Sequence, residues 1–408
     1  MDYLAVLGRQ PEISIAELEA LLPGAVFSTG PAGFSSPKIL QVKISGGPLQ
    51  PSPVEISRLG GILKLAIKLE GKPLDFLMGL ADGKITLGVS DYSKGASRRT
   101  ASSEALKLKK ILVRHGKSVR VVENKEAVLS TATSLHNGLS GKNERKVELI
   151  KVDDDWYKVI GVQDIDAYAK RDQARPARDA KVGMLPPKLA QILINLCGPL
   201  KADAVVLDPF CGTGVVLQEA LLMGYRAYGT DISERMVEYT EKNLEWLLKS
   251  RDILFSGHFG GCCRELAPEP RKDGREGRGP ENKIFEVEVG DATSFQWDQP
   301  IDAVACEGYL GKPMSEIPSD IKLKEQKQEC KAIILGFLKN LARQIKSVTP
   351  VVIAVPSWLR EDGSYSRLEI LDDIEDMGYN VNNKSREGLL YHRDDQVVAR
   401  DIIILRKK

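Results

Sequence analysis

AVVLDPFCGTGVVLQEALLMGYRAYGTD, residues 204–231, decides the fold of this chain. A short apolar run ends at Asp208-Pro209, and the small-residue turn Cys211-Gly212-Thr213-Gly214 follows it. Apolar residues at helical spacing continue to Gly224, a residue type that commonly ends a helix. A second short strand then leads to Asp231. This order of strand, glycine turn, helix, strand and carboxylate predicts half of a doubly wound, nucleotide-binding α/β sheet.

The turn discriminates between classes of nucleotide site. A dinucleotide fingerprint requires a third glycine, and Leu217 stands at that position. A P-loop requires Lys and Ser/Thr after its second glycine, and Gly141-Lys142-Asn143 has neither the spacing nor the hydroxyl. The remaining pattern suits a nucleoside that carries an amino acid, with backbone amides of 212–214 close to the ligand and Asp231 accepting both ribose hydroxyls. The alternative is a tight strand–helix turn beside an ordinary surface aspartate.

Longer blocks of sequence extend this interpretation to a family. DPFCGTG followed by GTDIS resembles motifs I and II of S-adenosylmethionine-dependent amino-methyltransferases that act on nucleic acids. The chain is most similar to the THUMP-containing tRNA guanosine N2-methyltransferases. That resemblance also rests on YLAVLGRQPEISIAELEALL (3–22), VQDIDAYAKRDQARPARDAKVGMLPPKLAQILINL (162–196) and REGLLYHRDDQVVARDIIILRK (386–407). It implies a Rossmann-like α/β methyltransferase domain with a doubly wound sheet, preceded by an α+β region containing a THUMP domain that grips the tRNA 3′ end.

The domain organisation follows from the resemblance and from breaks in composition. We predict an α+β ferredoxin-like region at 1–58, a THUMP RNA-binding domain at 59–165, a basic linker at 166–185 and the methyltransferase domain at 186–408. Residues 256–282 are rich in glycine, proline, arginine and glutamate, and they predict a mobile insert.

Composition predicts a cytoplasmic protein without a membrane segment. The 408 residues are 42% hydrophobic and 28% charged, and no apolar run approaches the length of a bilayer span. Six cysteines without framework spacing predict reduced thiols, and four scattered histidines argue against a structural zinc site. The net charge of +2 means that any nucleic-acid surface must be a local patch.

Such a patch is predicted at 94–125, which contains ten basic residues and two acids. A helix over about 103–115 is predicted to turn Leu106, Ile111 and Leu112 inward and its lysines outward. Phosphate binding and a merely soluble face both remain open. The linker arginines likewise either hold a phosphate or pair with neighbouring acids such as Asp172 and Asp179. The candidate RNA contacts are Lys94, Arg98, Arg99, Lys107, Lys110, Arg114, Arg175 and Arg178.

The candidate catalytic turn is IDAVACEGYLGKP, residues 301–313. An amine on a base is a poor nucleophile, so an enzyme must accept its hydrogen bonds and clamp the ring for in-line attack. The family does this with Asp/Asn-Pro-Pro-aromatic, whereas this chain has Cys306-Glu307-Gly308-Tyr309. We expect Glu307 to accept the N1 and N2 hydrogens of guanine and Tyr309 to stack on the flipped base. Gly308 replaces proline, so pre-organisation has to come from elsewhere, and Cys306 is predicted to be strand packing.

These expectations define a reaction. The resemblance implies S-adenosylmethionine as cofactor, tRNA as partner, guanosine 10 as the target of N2 methylation, and no metal; a small activating subunit is left open. One alternative is methylation of another exocyclic base amine in ribosomal or transfer RNA. The other is a non-catalytic RNA-binding protein that retains the cofactor fold. The residues assigned to the cofactor are Asp208, Phe210, Gly212, Gly214, Asp231, Ile232, Asp291 and Ala292.

Overall fold

A computed structural model describes residues 2–29, 39–43, 55–179, 184–250 and 283–408. The chain forms two compact units, Met1–Asp166 and Ala167–Lys408. The insert predicted at 256–282 lies outside the described residues. None of the described helices combines the length and the apolar character that a membrane crossing requires.

The first unit is built on one eight-stranded sheet with the order β2-β3-β1-β4-β8-β7-β5-β6. β1 pairs antiparallel with β4, so the predicted segments 1–58 and 59–165 contribute strands to the same sheet. The strands are β1 Asp2–Leu7, β2 Val26–Thr29, β3 Ile39–Lys43, β4 Ile62–Lys68, β5 Ile85–Asp91, β6 Val119–Val121, β7 Lys146–Val152 and β8 Asp155–Val162. The helices are α1 Pro11–Leu21, α2 Pro73–Met78, α3 Arg98–Arg114 and α4 Thr131–His136, and α5 Ile165–Gln173 contains the boundary between the units.

Helix α3 begins earlier and faces differently from its prediction. Ser97 caps it through a hydrogen bond from Thr100 N, with the reciprocal bond of a capping box. Its buried residues are Ala101, Ala105, Leu108 and Leu112, whereas Leu106 is 57% exposed. The prediction that Leu106 points inward is wrong. The inward stripe at i, i+4, i+7 and i+11 includes two alanines, which a search for large apolar side chains overlooks.

The second unit is built on a sheet with the order β11-β10-β9-β12-β13-β17-β15. Strands β9 to β13 run parallel, and β17 runs antiparallel to both β13 and β15. The strands are β9 Val205–Asp208, β10 Arg226–Asp231, β11 Phe285–Val289, β12 Ala303–Glu307, β13 Pro350–Leu359, β14 Tyr365–Ser366, β15 Tyr379–Val381, β16 Leu390–Tyr391 and β17 Val398–Lys407. The helices are α6 Pro187–Leu196, α7 Val215–Leu222, α8 Glu234–Lys249, α9 Asp320–Leu341, α10 Leu371–Asp376 and α11 Asn383–Glu387. The prediction of a doubly wound, Rossmann-like α/β sheet is confirmed. Its order reverses between β9 and β12, and ligands bind at such a switch point.

Close packing of α7 on the sheet does not depend on a glycine in the helix. A Cβ on Gly229 in β10 would lie 2.5 Å from Leu217 Cδ1 and 3.2 Å from Cys211 Cβ. Leu217 itself is fully buried. At this contact the residue without a side chain is therefore in the strand and not in the helix.

Candidate active site

Four predicted carboxylates lie at one edge of the second sheet. Asp208, Asp231 and Glu307 end β9, β10 and β12, and Asp291 follows the end of β11 by two residues. Because these strands are parallel and adjacent, their carboxyl ends meet on the same side. The cofactor residues and the catalytic acid predicted from separate stretches of sequence therefore lie at one edge of the sheet, where open α/β sheets bind ligands.

Asp208 is the most buried of these four carboxylates. It is 3% exposed, and its Oδ1 accepts a hydrogen bond from Phe210 N at 3.2 Å. Burial raises the pKa of Asp208 well above its ordinary range, and the charges of Asp231 and Glu307 add to the rise. The carboxyl groups of neighbouring strands are thus close enough to influence one another.

The glycine turn is held from α8. Gly212 and Gly214 have φ values of +53° and +80°. Thr240 Oγ1 donates to Gly212 O at 2.8 Å, and Asn243 Nδ2 donates to Thr213 O at 2.9 Å. A Cβ on Gly214 would lie 2.7 Å from Thr240 Cγ2, so glycine is required there for space as well as for conformation. The two hydrogen bonds from α8 therefore hold the backbone of the turn in place.

Asp231 and Ile232 together fit a nucleoside. Asp231 Oδ2 accepts from Gly212 N and Oδ1 accepts from Ser233 N, both at 2.9 Å. Burial raises the pKa of Asp231, and these two hydrogen bonds oppose the rise. Each carboxylate oxygen keeps lone pairs for a ribose hydroxyl. Ile232, next to the partly buried Asp231, is 73% exposed, so its side chain is available to cover one face of a nucleoside ring.

The remaining assigned cofactor residues lie around β11 and α9. Asp291 Oδ1 accepts from Thr293 N at 2.9 Å and Thr293 Oγ1 at 2.8 Å, so the acid itself is held in a short turn. Ala292 is 4% exposed, and its carbonyl accepts from Asn340 Nδ2 at 3.0 Å. Phe210 meets Phe337 edge to face, with ring centroids 5.2 Å apart. Ala292 and Phe210 therefore shape the wall of the crevice.

The sequence-based prediction missed the partner of Glu307. Arg400 Nε, on β17, donates to Glu307 Oε1 at 2.5 Å, and the Glu307 and Arg400 side chains are 18% and 6% exposed. A signal was present, because Arg400-Asp401 places two charges inside the apolar run of β17. One oxygen of Glu307 is engaged by Arg400, which leaves Oε2 for a substrate.

Three contacts fix the turn that lacks the family prolines. Gly308 N donates to Ala354 O at 2.9 Å on β13. Tyr309 Oη donates to Glu329 Oε1 at 2.9 Å, and Lys312 N donates to Gln326 Oε1 at 2.8 Å, both on α9. Burial and the Glu329 carboxylate raise the pKa of Tyr309 to about 12, so its hydroxyl stays a donor. Pre-organisation comes from β13 and α9 instead of from proline rings.

Cys306 is fully buried in the core beneath this turn. Burial raises the pKa of its thiol well above the ordinary range. The prediction that Cys306 is strand packing is confirmed.

The predicted RNA contacts divide into two groups. Seven are exposed: Lys94, Arg98, Arg99, Lys107, Lys110, Arg114 and Arg178. Side chains of α3, including Leu106, line a shallow groove of about 680 Å³. Arg175 has a fully buried side chain beside the cofactor turn, with Nη2 3.3 Å from Asp172 Oδ1 and Nη1 3.4 Å from Thr213 Oγ1. Because its side chain is buried, the expectation that Arg175 contacts RNA is wrong. Arg175 pairs with Asp172 instead.

Comparison with known proteins finds relatives over part of the chain. The tRNA (guanine(10)-N2)-dimethyltransferase of Methanothermobacter thermautotrophicus is 51% identical over 190 residues, which are 46% of this chain and 44% of that enzyme. The enzyme of the same name from Pyrococcus abyssi is 50% identical over 62 residues, 15% of this chain and 18% of the relative. The chain is a homologue of these enzymes. The resemblance predicted from the sequence is thereby confirmed, although the match spans less than half the length of these curated relatives.

Two broader comparisons were also made. A family model described as a DNA methylase matches residues 117–242. The solved structure of TrmN from Thermus thermophilus aligns over 100% of both chains, with 15% identity and a TM-score of 0.47.

Proposed function

We propose that this chain transfers a methyl group from S-adenosylmethionine to the exocyclic N2 amine of a guanosine in tRNA. The observation that carries the proposal is the position of Glu307 at the end of β12, beside β9, whose end leads into the glycine turn. An acceptor for the amine and a cradle for the cofactor therefore share one crevice. The names of the relatives indicate guanosine 10 as the target and two methyl groups as the product.

The crevice fits the cofactor in three respects. The turn at 212–214 needs glycine at 214 to pack against Thr240 of α8. Asp231 would accept the ribose hydroxyls, and exposed Ile232 would cover one face of the adenine. Asp291 keeps Oδ2 without a hydrogen-bond partner in the described part of the chain, so it can accept from the adenine amine. When bound, S-adenosylmethionine supplies an electrophilic methyl carbon on a sulfonium.

The chain's own residues then orient and activate the amine. Glu307 Oε2 accepts a hydrogen bond from N2, which shifts electron density onto that nitrogen as its lone pair forms the new bond to carbon. As the methyl group is transferred, the proton lost from N2 would pass through the Glu307 carboxylate to solvent. Tyr309 stacks on the extruded base, and its hydrogen bond to Glu329 limits rotation of the ring.

Delivery of the RNA is proposed for the first unit. The exposed cations of α3 and its flanks outnumber the nearby acids, of which Glu123 pairs with Arg98 and Glu104 with Lys107. Phosphates release counterions on binding such a face. We assign this unit the THUMP role that the family resemblance implies. Arg178 adds an exposed cation in the second unit.

Methyl transfer from labelled S-adenosylmethionine to bulk unmodified tRNA, followed by digestion to nucleosides, tests the proposal. Wild type is compared with Glu307→Gln and with Glu316→Gln, a matched control at an exposed position. We expect labelled N2-methylguanosine from wild type and control, and a loss of about 100-fold or more in Glu307→Gln.

The alternatives give different results in the same assay. Label on another base would support methyltransferase activity but exclude guanosine N2 as the target. Cofactor binding without label, unchanged by Glu307→Gln, would support a non-catalytic RNA-binding protein.

A further inference from the structure

The guanidinium of Arg400 is held in the catalytic crevice by two of its three nitrogens. Nε donates to Glu307 Oε1 at 2.5 Å, and Nη1 donates to Gln396 Oε1 at 3.2 Å. Nη2 has no hydrogen-bond partner among the residues that the structure describes. Arg400 is only 5% exposed, so a donor of a largely buried side chain is left over for a ligand.

The register of the sheet places Arg400 at the ligand-binding edge. Glu307 is paired with Ala354 of β13, and Arg400 is paired with Pro356, two residues nearer the carboxyl end of that strand. The Arg400 side chain therefore reaches Glu307 across β13. Its guanidinium lies at the edge where the other site carboxylates lie.

Glu307 alone would select poorly between bases. A carboxylate accepts hydrogen bonds, and the amines of guanine, adenine and cytosine all donate them. The Watson–Crick edge of guanine differs because it presents two donors, N2–H and N1–H, beside one acceptor, O6. Adenine presents an amine and an unprotonated N1 on the same edge. A site that separates these bases needs a fixed donor next to its acceptor.

We propose that Arg400 is a specificity-determining residue that donates from Nη2 to O6 of guanine while Glu307 Oε2 accepts from N1–H and N2–H. This inference rests on the proposed function. Arginine suits the task because its planar fork can hold Glu307, Gln396 and the base at once, which a lysine ammonium cannot do in one plane. A base with an amine in place of O6 would leave the Arg400 donor facing another donor in a buried site.

A pair of substrates isolates this contact from catalysis. A tRNA transcript carries guanine at the position that wild type methylates, and a second transcript carries 2,6-diaminopurine there, which keeps the N2 amine, replaces O6 by an amine and has no hydrogen on N1. The loss of N1–H affects wild type and the Arg400 variants alike because Glu307 is unchanged in all of them, so the change in preference between them reports on O6. We expect wild type to prefer guanine by about 100-fold in kcat/KM. Arg400→Gln should lower kcat/KM for guanine at least 10-fold and reduce the preference to about 3-fold. Arg360→Gln, at an exposed arginine of the same unit, should leave both values unchanged.

A folding defect is separated from loss of specificity by a conservative variant. Arg400→Gln leaves the Glu307 carboxylate without its cation, so circular dichroism and cofactor binding are measured beside activity. Arg400→Lys keeps the cation without the fork, and we expect its preference to fall about 10-fold in a folded protein.

The outcomes distinguish the two proposals. Label on guanosine with an unchanged preference in Arg400→Lys or in folded Arg400→Gln overturns the role of Arg400 and leaves the function standing. Label on another base, or none from wild type, overturns both.

Discussion

Gly214 is the position where a single methyl group should do most harm to the cofactor turn. Its φ of +80° lies in the left-handed region, which costs a residue with a Cβ about 1–2 kcal/mol. Its Cβ would also lie 2.7 Å from Thr240 Cγ2 and 3.1 Å from Thr240 Oγ1, on a helix packed in the core. Overpacking of this kind costs about 1–3 kcal/mol. We expect Gly214→Ala to lower the free energy of unfolding of the second unit by about 2–5 kcal/mol.

Gly212→Ala is the matched control for the steric part. Gly212 has a φ of +53°, but the nearest atom to its Cβ would be Phe210 O at 3.9 Å. Only the conformational cost applies, about 1–2 kcal/mol, and reduced entropy of the unfolded chain offsets part of it. Thr240→Ser removes the Cγ2 atom while keeping the hydroxyl that donates to Gly212 O. In the double variant with Gly214→Ala it should recover about 1–2 kcal/mol.

Urea unfolding followed by tryptophan fluorescence measures these differences. Trp246, Trp297 and Trp358 lie in the second unit, and only Trp156 lies in the first. The affinity for S-adenosylmethionine should fall in the same order as stability. Equal costs for the two alanine variants, or additivity of Gly214→Ala and Thr240→Ser, would refute the steric argument.

Three further predictions concern the site and the basic face. Tyr309→Phe keeps the ring but loses the hydrogen bond to Glu329, so kcat should fall about 3- to 10-fold. Tyr309→Ala also loses base stacking, so its kcat/KM should fall about 10-fold or more. Steady-state methyl transfer measures both effects. The double variant Lys107→Glu and Lys110→Glu should weaken tRNA binding and lower the slope of the logarithm of the binding constant against log salt by about 1–2. Lys72 is also exposed in the first unit, and an equal effect of Lys72→Glu would contradict a specific RNA-binding surface on α3. Asp208→Asn should flatten the pH dependence of stability. Because the folded-state pKa of Asp208 is raised above 3.8, the wild-type protein loses stability as pH rises from about 4, and parallel curves for wild type and variant in thermal unfolding would contradict this.

The features that could be predicted from the sequence are those that depend on residues close together in the chain. The run ending at Asp208, the turn after it and the acid at Asp231 are local signals, and the parallel sheet brings their strand ends together. Leu106 was misplaced because its helix packs through alanines. Arg175 was misassigned because charge in a linker does not reveal burial.

The side-chain contacts that hold the catalytic turn in place could not be predicted from such local signals. Arg400 is 93 residues from Glu307 along the chain, and Glu329 is 20 residues from Tyr309. Such pairings depend on strand order and on the face that α9 turns to the sheet. The sequence established that proline was missing, but only the tertiary structure identifies what replaces it.

The contact between Leu217 and Gly229 shows that the glycine required for close helix–strand packing can lie in the strand instead of in the helix. What the packing of α7 on β10 requires is one missing side chain, and it does not matter which partner lacks it. Sequence patterns defined on the turn and helix alone overlook such a site, whereas a pattern that includes the following strand finds it. The two positions should vary together among relatives, with a bulky residue at one accompanied by glycine at the other.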